Sequence, residues 1–132
     1  MAKISKEKWI GCPFRFAAAA IGDKWSMLII RDIMFGSAMR YSDFINSEEG
    51  IATNVLASRL EHLVNIEILE KKADPEDARK SIYLLTEKGC DLAPVFLSMI
   101  QWSQKWDDQT QVPENYLAKL LAGSIPPTRG ES

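Results

Sequence analysis

Three observations predict a mainly α fold carrying one small β-hairpin. Apolar residues recur at helical spacing through most of residues 12–65, and again over 86–106. Two short runs with β-branched or aromatic content, "ILEKK" and "SIYLL", interrupt that pattern once, around a turn holding Asp74 and Pro75. At 132 residues, 46% apolar and 26% charged, the chain is long enough for one domain with a genuine core.

The elements follow in order. "CPFRFAAAAIG" (12–22) places Pro13 where a helix can start, and its alanine run favours helix. Gly22 ends that helix, and Asp23 is the expected N-cap of "KWSMLIIRDIMF", which stops at Gly36. Trp25, Met27, Leu28, Ile29, Ile30, Ile33, Met34 and Phe35 cover most of its circumference, so it belongs at the buried centre. "RYSDFINS" (40–47) has room for two turns, with Tyr41, Phe44 and Ile45 expected inward. "SEEG" turns the chain, and Thr53 is the expected N-cap of a helix ending near Asn65.

The hairpin comes next, with a charged tip. Thr86 and Glu87 then open a long helix through Trp106, with Leu92, Val95, Phe96, Met99, Trp102 and Trp106 at helical spacing. Pro94 lacks a backbone donor and predicts a bend. The organisation expected is one domain over 1–112, then a short amphipathic segment and a flexible tail over 113–132. Three helices followed by a hairpin, with a short turn before the last of them, is the arrangement of a winged helix-turn-helix.

Other classes are poorly supported. The basic start "MAKISKEKWIG" has no apolar run behind it long enough for a signal peptide, and "WSMLIIRDIMF" is interrupted by Arg31 and Asp32 and too short to span a bilayer. A cytoplasmic protein is expected, with no membrane partner. Two cysteines and one histidine suit neither a disulfide framework nor a structural zinc site, and no metal or cofactor is expected. No glycine-rich phosphate loop is present. Cys12 and His62 form a nucleophile–base pair only if the fold brings them together, so an enzyme is not expected. A net charge of −2 does not decide about nucleic acid, because local patches outvote the total beyond a Debye length of about 8 Å.

The helix over about 53–65 carries the chemistry. Leu56, Leu60 and Leu63 share one face, while Thr53, Asn54, Ala57, Ser58 and Arg59 stand at its front or flank. Short polar side chains let a helix backbone approach a major groove, where Asn reads adenine, Arg reads guanine, and Ala meets a thymine methyl. The bland alternative is that such residues merely suit a helix start. On the wing, about 70–85, Lys71, Lys72, Arg79 and Lys80 are candidates to hold phosphates, and Arg40 is another. Asp74, Glu76 and Asp77 at the tip oppose that role.

In order along residues 12–106, "CPFRFAAAAIGDKWSMLIIRDIMFG", "RYSDF", "GIATNVLASRLEHL", "IEILEKK" and "YLLTEKGCDLAPVF" resemble the HxlR-type winged-helix transcriptional regulators. The resemblance implies a homodimer on a roughly palindromic operator of double-stranded DNA, with the first and last helices as dimerisation helices. Here it points to Phe14, Ala17, Ala18, Ile21, Met99, Trp102 and Trp106. The alternative is that the tryptophans cover the domain's own core. Some such regulators sense oxidants or electrophiles through the cysteine of the N-terminal Cys-Pro, which is Cys12. The nearby helix start, Arg15 and Lys8 would favour its reactive thiolate. A small-molecule or oxidant effector is thus implied, its identity open. Three departures stand out: "GIATN" in the reading helix, Glu48 and Glu49 in the turn, and the acidic wing tip. A protein-binding module without DNA is the competing function.

Overall fold

The computed structural model describes residues 11–36 and 38–121. The basic segment over 3–10 and the tail after residue 121 lie outside the described residues. Helix α1 (Pro13–Ile21) ends at Gly22, whose N–H donates to the Ala18 carbonyl at 2.8 Å. The Asp23 side chain accepts from the Ser26 N–H at 2.9 Å and caps α2 (Lys24–Met34), as its sequence position predicts. Ile29, Ile30, Ile33 and Met34 of α2 lie in the core, and Gly36 leaves the helix with φ 79°.

After α3 (Tyr41–Ile45) the chain enters α4 (Thr53–Asn65), whose Leu56, Leu60 and Leu63 pack into the same core as α2. Strands β1 (Leu69–Asp74) and β2 (Asp77–Leu85) form the antiparallel wing, with Leu69 opposite Leu85 and Lys71 opposite Tyr83. An irregularity at Ala73/Asp74 tightens the tip. The residues before α3 join this sheet: Arg40 bridges Ile82, and the Tyr83 N–H donates to the Met39 carbonyl at 2.8 Å. The wing is therefore fastened to the helix-turn-helix rather than hanging from its own base.

Several expectations need correction. Ala52, in extended conformation, is the N-cap of α4, so Thr53 is its first helical residue and no side chain caps the start. Buried Ile51 fixes how the chain enters, which moves the cap one residue early. Tyr41 is exposed; its hydroxyl donates to the Thr53 carbonyl at 3.1 Å, a polar partner that keeps the ring at the surface between α3 and α4.

The expected long C-terminal helix is two, α5 (Glu87–Cys90) and α6 (Ala93–Trp106). Thr86 caps α5 by accepting from the Gly89 N–H at 3.1 Å. Pro94 falls in the first turn of α6, where its missing N–H has no intrahelical partner to lose, so it starts a helix instead of bending one. Gly89 lets α5 lie against the chain entering the wing, since a Cβ there would stand 2.5 Å from the Ile68 carbonyl oxygen.

Helix α7 (Glu114–Leu121) brings Leu120 into the core and stacks Tyr116 on Phe35, centroids 3.8 Å apart. The packed body thus reaches past residue 112. Ile21, expected at a dimer surface, is 5% exposed and belongs to the core.

Candidate nucleic-acid interface

Burying its three leucines turns the other side of α4 outward. Thr53, Asn54, Ala57 and Ser58 are exposed there, with Glu61 one turn further on. Arg59 is turned back: its guanidinium lies 3.5 Å from the Asp23 carboxylate and donates to the Ser58 hydroxyl at 3.3 Å. The Asp23 carboxyl is held below its ordinary value, where hydrogen bonds from Ser26 and the Arg59 charge outweigh a large opposing burial effect. Base reading by Arg59 would therefore require leaving this pair.

The wing charges sort into paired and unpaired. Arg40 is not a free phosphate ligand, because its guanidinium donates to Asp74 at 2.6 and 3.1 Å and to Glu76 at 3.2 Å. The Asp74 side chain is 3% exposed. The Arg40 hydrogen bonds, helped by one from the Glu76 N–H, lower its carboxyl to about 2. Arg79 makes a two-pronged contact with Asp77 at 3.0 and 3.2 Å, and Lys72 lies 3.8 Å from Glu70. Lys71 and Lys80 are exposed and stand in no ion pair among the described residues. Both border a groove of about 750 Å³ between the start of α3 and the hairpin, with Tyr41, Ser42, Ser81 and Tyr83.

The acidic residues that looked hostile to DNA are largely answered from within. Glu49 of the turn pairs with the Arg31 guanidinium of α2, which also contacts Asp32. That hydrogen bond leads in lowering the Glu49 carboxyl, and it ties the turn before α4 to the buried helix. Sequence reasoning missed this pair, and it missed Arg40 with Asp74. Charge type is visible in a sequence, but partnership across 18 or 34 positions is not. His62 is half-buried on the side of α4 that meets α1. Its Nε2 lies 3.0 Å from the Ala20 carbonyl, which can only accept, so Nε2 carries the proton and links α4 to α1.

Away from this face of α4, α1 and α6 expose large apolar side chains. Phe14 is 82% exposed, and Trp102 and Trp106 are each 69% exposed, so the tryptophans do not cover the domain's own core. Met99, Ala17 and Ala18 are exposed beside them in sequence. Cys12 is half-buried at the N-cap of α1, and its carbonyl accepts from the Phe16 N–H at 3.1 Å. Cys90 is buried, and burial pushes its thiol up, away from the reactive thiolate. Among the described residues no helix is long and apolar enough to cross a membrane.

Comparisons with known proteins bear on this arrangement. Over 96 residues the chain is 36% identical to the HTH-type transcriptional regulator YodB of Bacillus subtilis (strain 168), covering 72% of this chain and 85% of that protein. It is similar to the solved reduced form of YodB with a TM-score of 0.63 at 32% identity, over 77% of this chain and 100% of the other. Its likeness to the redox regulator HypR in its oxidised form has a TM-score of 0.63 at 25% identity, over 76% of this chain and 100% of the other. Residues 20–111 match the model of the HxlR-like helix-turn-helix proteins. That span takes in α2, α4 and the whole wing, and the chain belongs to the HxlR-like helix-turn-helix family of transcriptional regulators.

Proposed function

We propose that the chain acts in the cytoplasm as a homodimer that reads a two-fold symmetric operator through α4 and the wing. The observation that carries this reading is the exposed, uncharged start of α4. Thr53, Asn54, Ala57 and Ser58 present short hydrogen-bonding or methyl groups to solvent, and no side chain caps the helix amides. Such a surface can approach base edges closely, and its free amides favour a phosphate. Lys71 and Lys80 supply the unpaired wing charge that would fix register on the backbone. Arg79 and Lys72 reach phosphates only by giving up a carboxylate, and Arg40 serves to position the wing.

The dimer face in this reading is the outer side of α1, with Phe14, Ala17 and Ala18, together with Met99, Trp102 and Trp106 of α6. A soluble protein rarely leaves so much aromatic surface uncovered. Cys12 lies at the start of the same α1, so an oxidant or electrophile that modifies its sulfur would act directly on a dimerisation helix. The likeness to regulators solved in reduced and oxidised forms supports that assignment.

The test is selection of bound fragments from random double-stranded DNA by the reduced protein, then anisotropy on the winner across a salt series. A symmetric site with half-sites about one helical turn apart is expected, with affinity falling steeply as salt rises. Asn54→Ala should weaken and relax that selection, whereas Cys12→Ser should leave it intact and abolish any response to oxidant. Failure to enrich any site in either redox state, alongside a stable protein partner, would replace this reading with a protein-binding winged helix.

A further inference from the structure

A second groove, of about 330 Å³, lies between α1, the C-terminal end of α4 and α5, and the proposed DNA contacts make no use of it. Its lining includes Arg15, Phe16, Ala19, His62, Ile66 and Lys88. We propose that this groove is an effector site for a small organic carboxylate carried on an aromatic or branched apolar body. The proposal rests on the regulator reading, since an effector implies an activity to modulate.

Charge sets the ligand class. Arg15 and Lys88 face the groove against one carboxylate, Glu67. Arg15 makes no ion pair among the described residues, and a planar guanidinium fits a carboxylate with two parallel hydrogen bonds. Lys88 donates to the Ile66 carbonyl at 2.6 Å, which leaves it two further N–H donors. Its ammonium also lies 5.9 Å from the Phe16 ring, which is 64% exposed and has a flat apolar face to offer. Ala19 and Ala20 add small apolar side chains to the lining. The volume falls at the lower end of the range of small-molecule sites, about 300–1,000 Å³.

Position sets the consequence. The His62 bond to Ala20 joins the helix proposed for dimerisation to the helix proposed for reading, and both residues line this groove. A ligand here touches both helices at once, so it favours whichever relation between them suits its contacts. On a helical wheel Phe14, Ala17 and Ala18 lie opposite Arg15, Phe16, Ala19 and Ala20, so the proposed dimer leaves the groove open.

The experiment titrates the full-length protein with benzoate, benzyl alcohol and benzylamine while following the methyl NMR signals of Ala19, Ala20 and Ile66. Expected are saturable shifts with benzoate, at least tenfold weaker binding of the alcohol and the amine, and at least tenfold loss in Arg15→Glu. That substitution is at an exposed site, and an unchanged unfolding curve will show that the fold survives. Saturating benzoate should also change affinity for the selected operator at least fivefold. No saturable shift, equal binding of the alcohol, indifference to Arg15→Glu, or an unaltered operator affinity would each overturn the proposal. If the protein selects no operator at all, the DNA reading fails by itself, and the methyl titration still decides whether the groove binds carboxylates.

Discussion

Helices α4 and α1 are each partly apolar, yet the chain treats them in opposite ways. α4 sends Leu56, Leu60 and Leu63 into the core with α2 and exposes short side chains over its first two turns, before Glu61. α1 docks through its last turn, by Ile21 and the Ala20 carbonyl on His62, and leaves Phe14 and Phe16 in solvent. The same contrast separates the wing, tied at Arg40 and Tyr83, from α6 with its two outward tryptophans. The head of the molecule, its helix-turn-helix and wing, is closed within one chain, whereas α1 and α6 leave large aromatic side chains in solvent, the surface proposed above to meet a second chain.

The largest effect that can break this comparison lies in the head. Leu56 is fully buried, and Leu56→Ala should cost about 2–5 kcal/mol, as lost burial and a residual cavity dictate. Urea unfolding should show that loss at every protein concentration. The pair Trp102→Ala and Trp106→Ala should do the reverse. Far-ultraviolet circular dichroism should keep its helical signal while sedimentation reports monomers, with association weakened by about 2 kcal/mol or more. A drop in stability with no change in mass would show instead that the tryptophans support their own chain.

How far each region was legible in the sequence follows the same division. The spacing of Leu56, Leu60 and Leu63 identified the buried face of α4, and Asp23 before an apolar run identified a cap, because both signals are local. The wing strands were legible for the same reason. Local signals failed at Thr53, where the burial of Ile51 moved the cap, and at Pro94, because a proline in the first turn of a helix and one inside a helix look alike in sequence. The charged site was the least legible part. Arg40, Arg59 and Arg79 read as DNA ligands, yet each meets a carboxylate, and for Arg40 and Arg59 that carboxylate lies 34 to 36 positions away in the chain.

The Arg40–Asp74 contact offers a smaller effect, confined to the wing. The folded carboxyl titrates near 2, below its ordinary 3.8. A depressed value means the contact stabilises fully above pH of about 4 and is lost as pH falls toward 2. Over that window the Arg40 side-chain N–H signals should shift and the Tyr83 amide should exchange faster. Asp74→Asn should remove the step.

The smallest expected effect sharpens the comparison at the point where the head meets α1. α4 ends in a Schellman turn: the Ile68 N–H donates to the Leu63 carbonyl and the Glu67 N–H to Val64, each at 3.0 Å. This places Glu67 at φ 64°, a left-handed conformation that costs an L-residue about 1–2 kcal/mol and glycine almost nothing. Glycine gives back about 0.5–1 kcal/mol through its freer unfolded chain. Glu67→Gly should therefore raise stability by about 0.5–1 kcal/mol in urea without changing the sedimentation mass. The same change removes the one carboxylate facing Arg15 and Lys88, so benzoate should bind more tightly. A destabilised variant would mean that the Glu67 side chain, not its backbone, holds the end of α4.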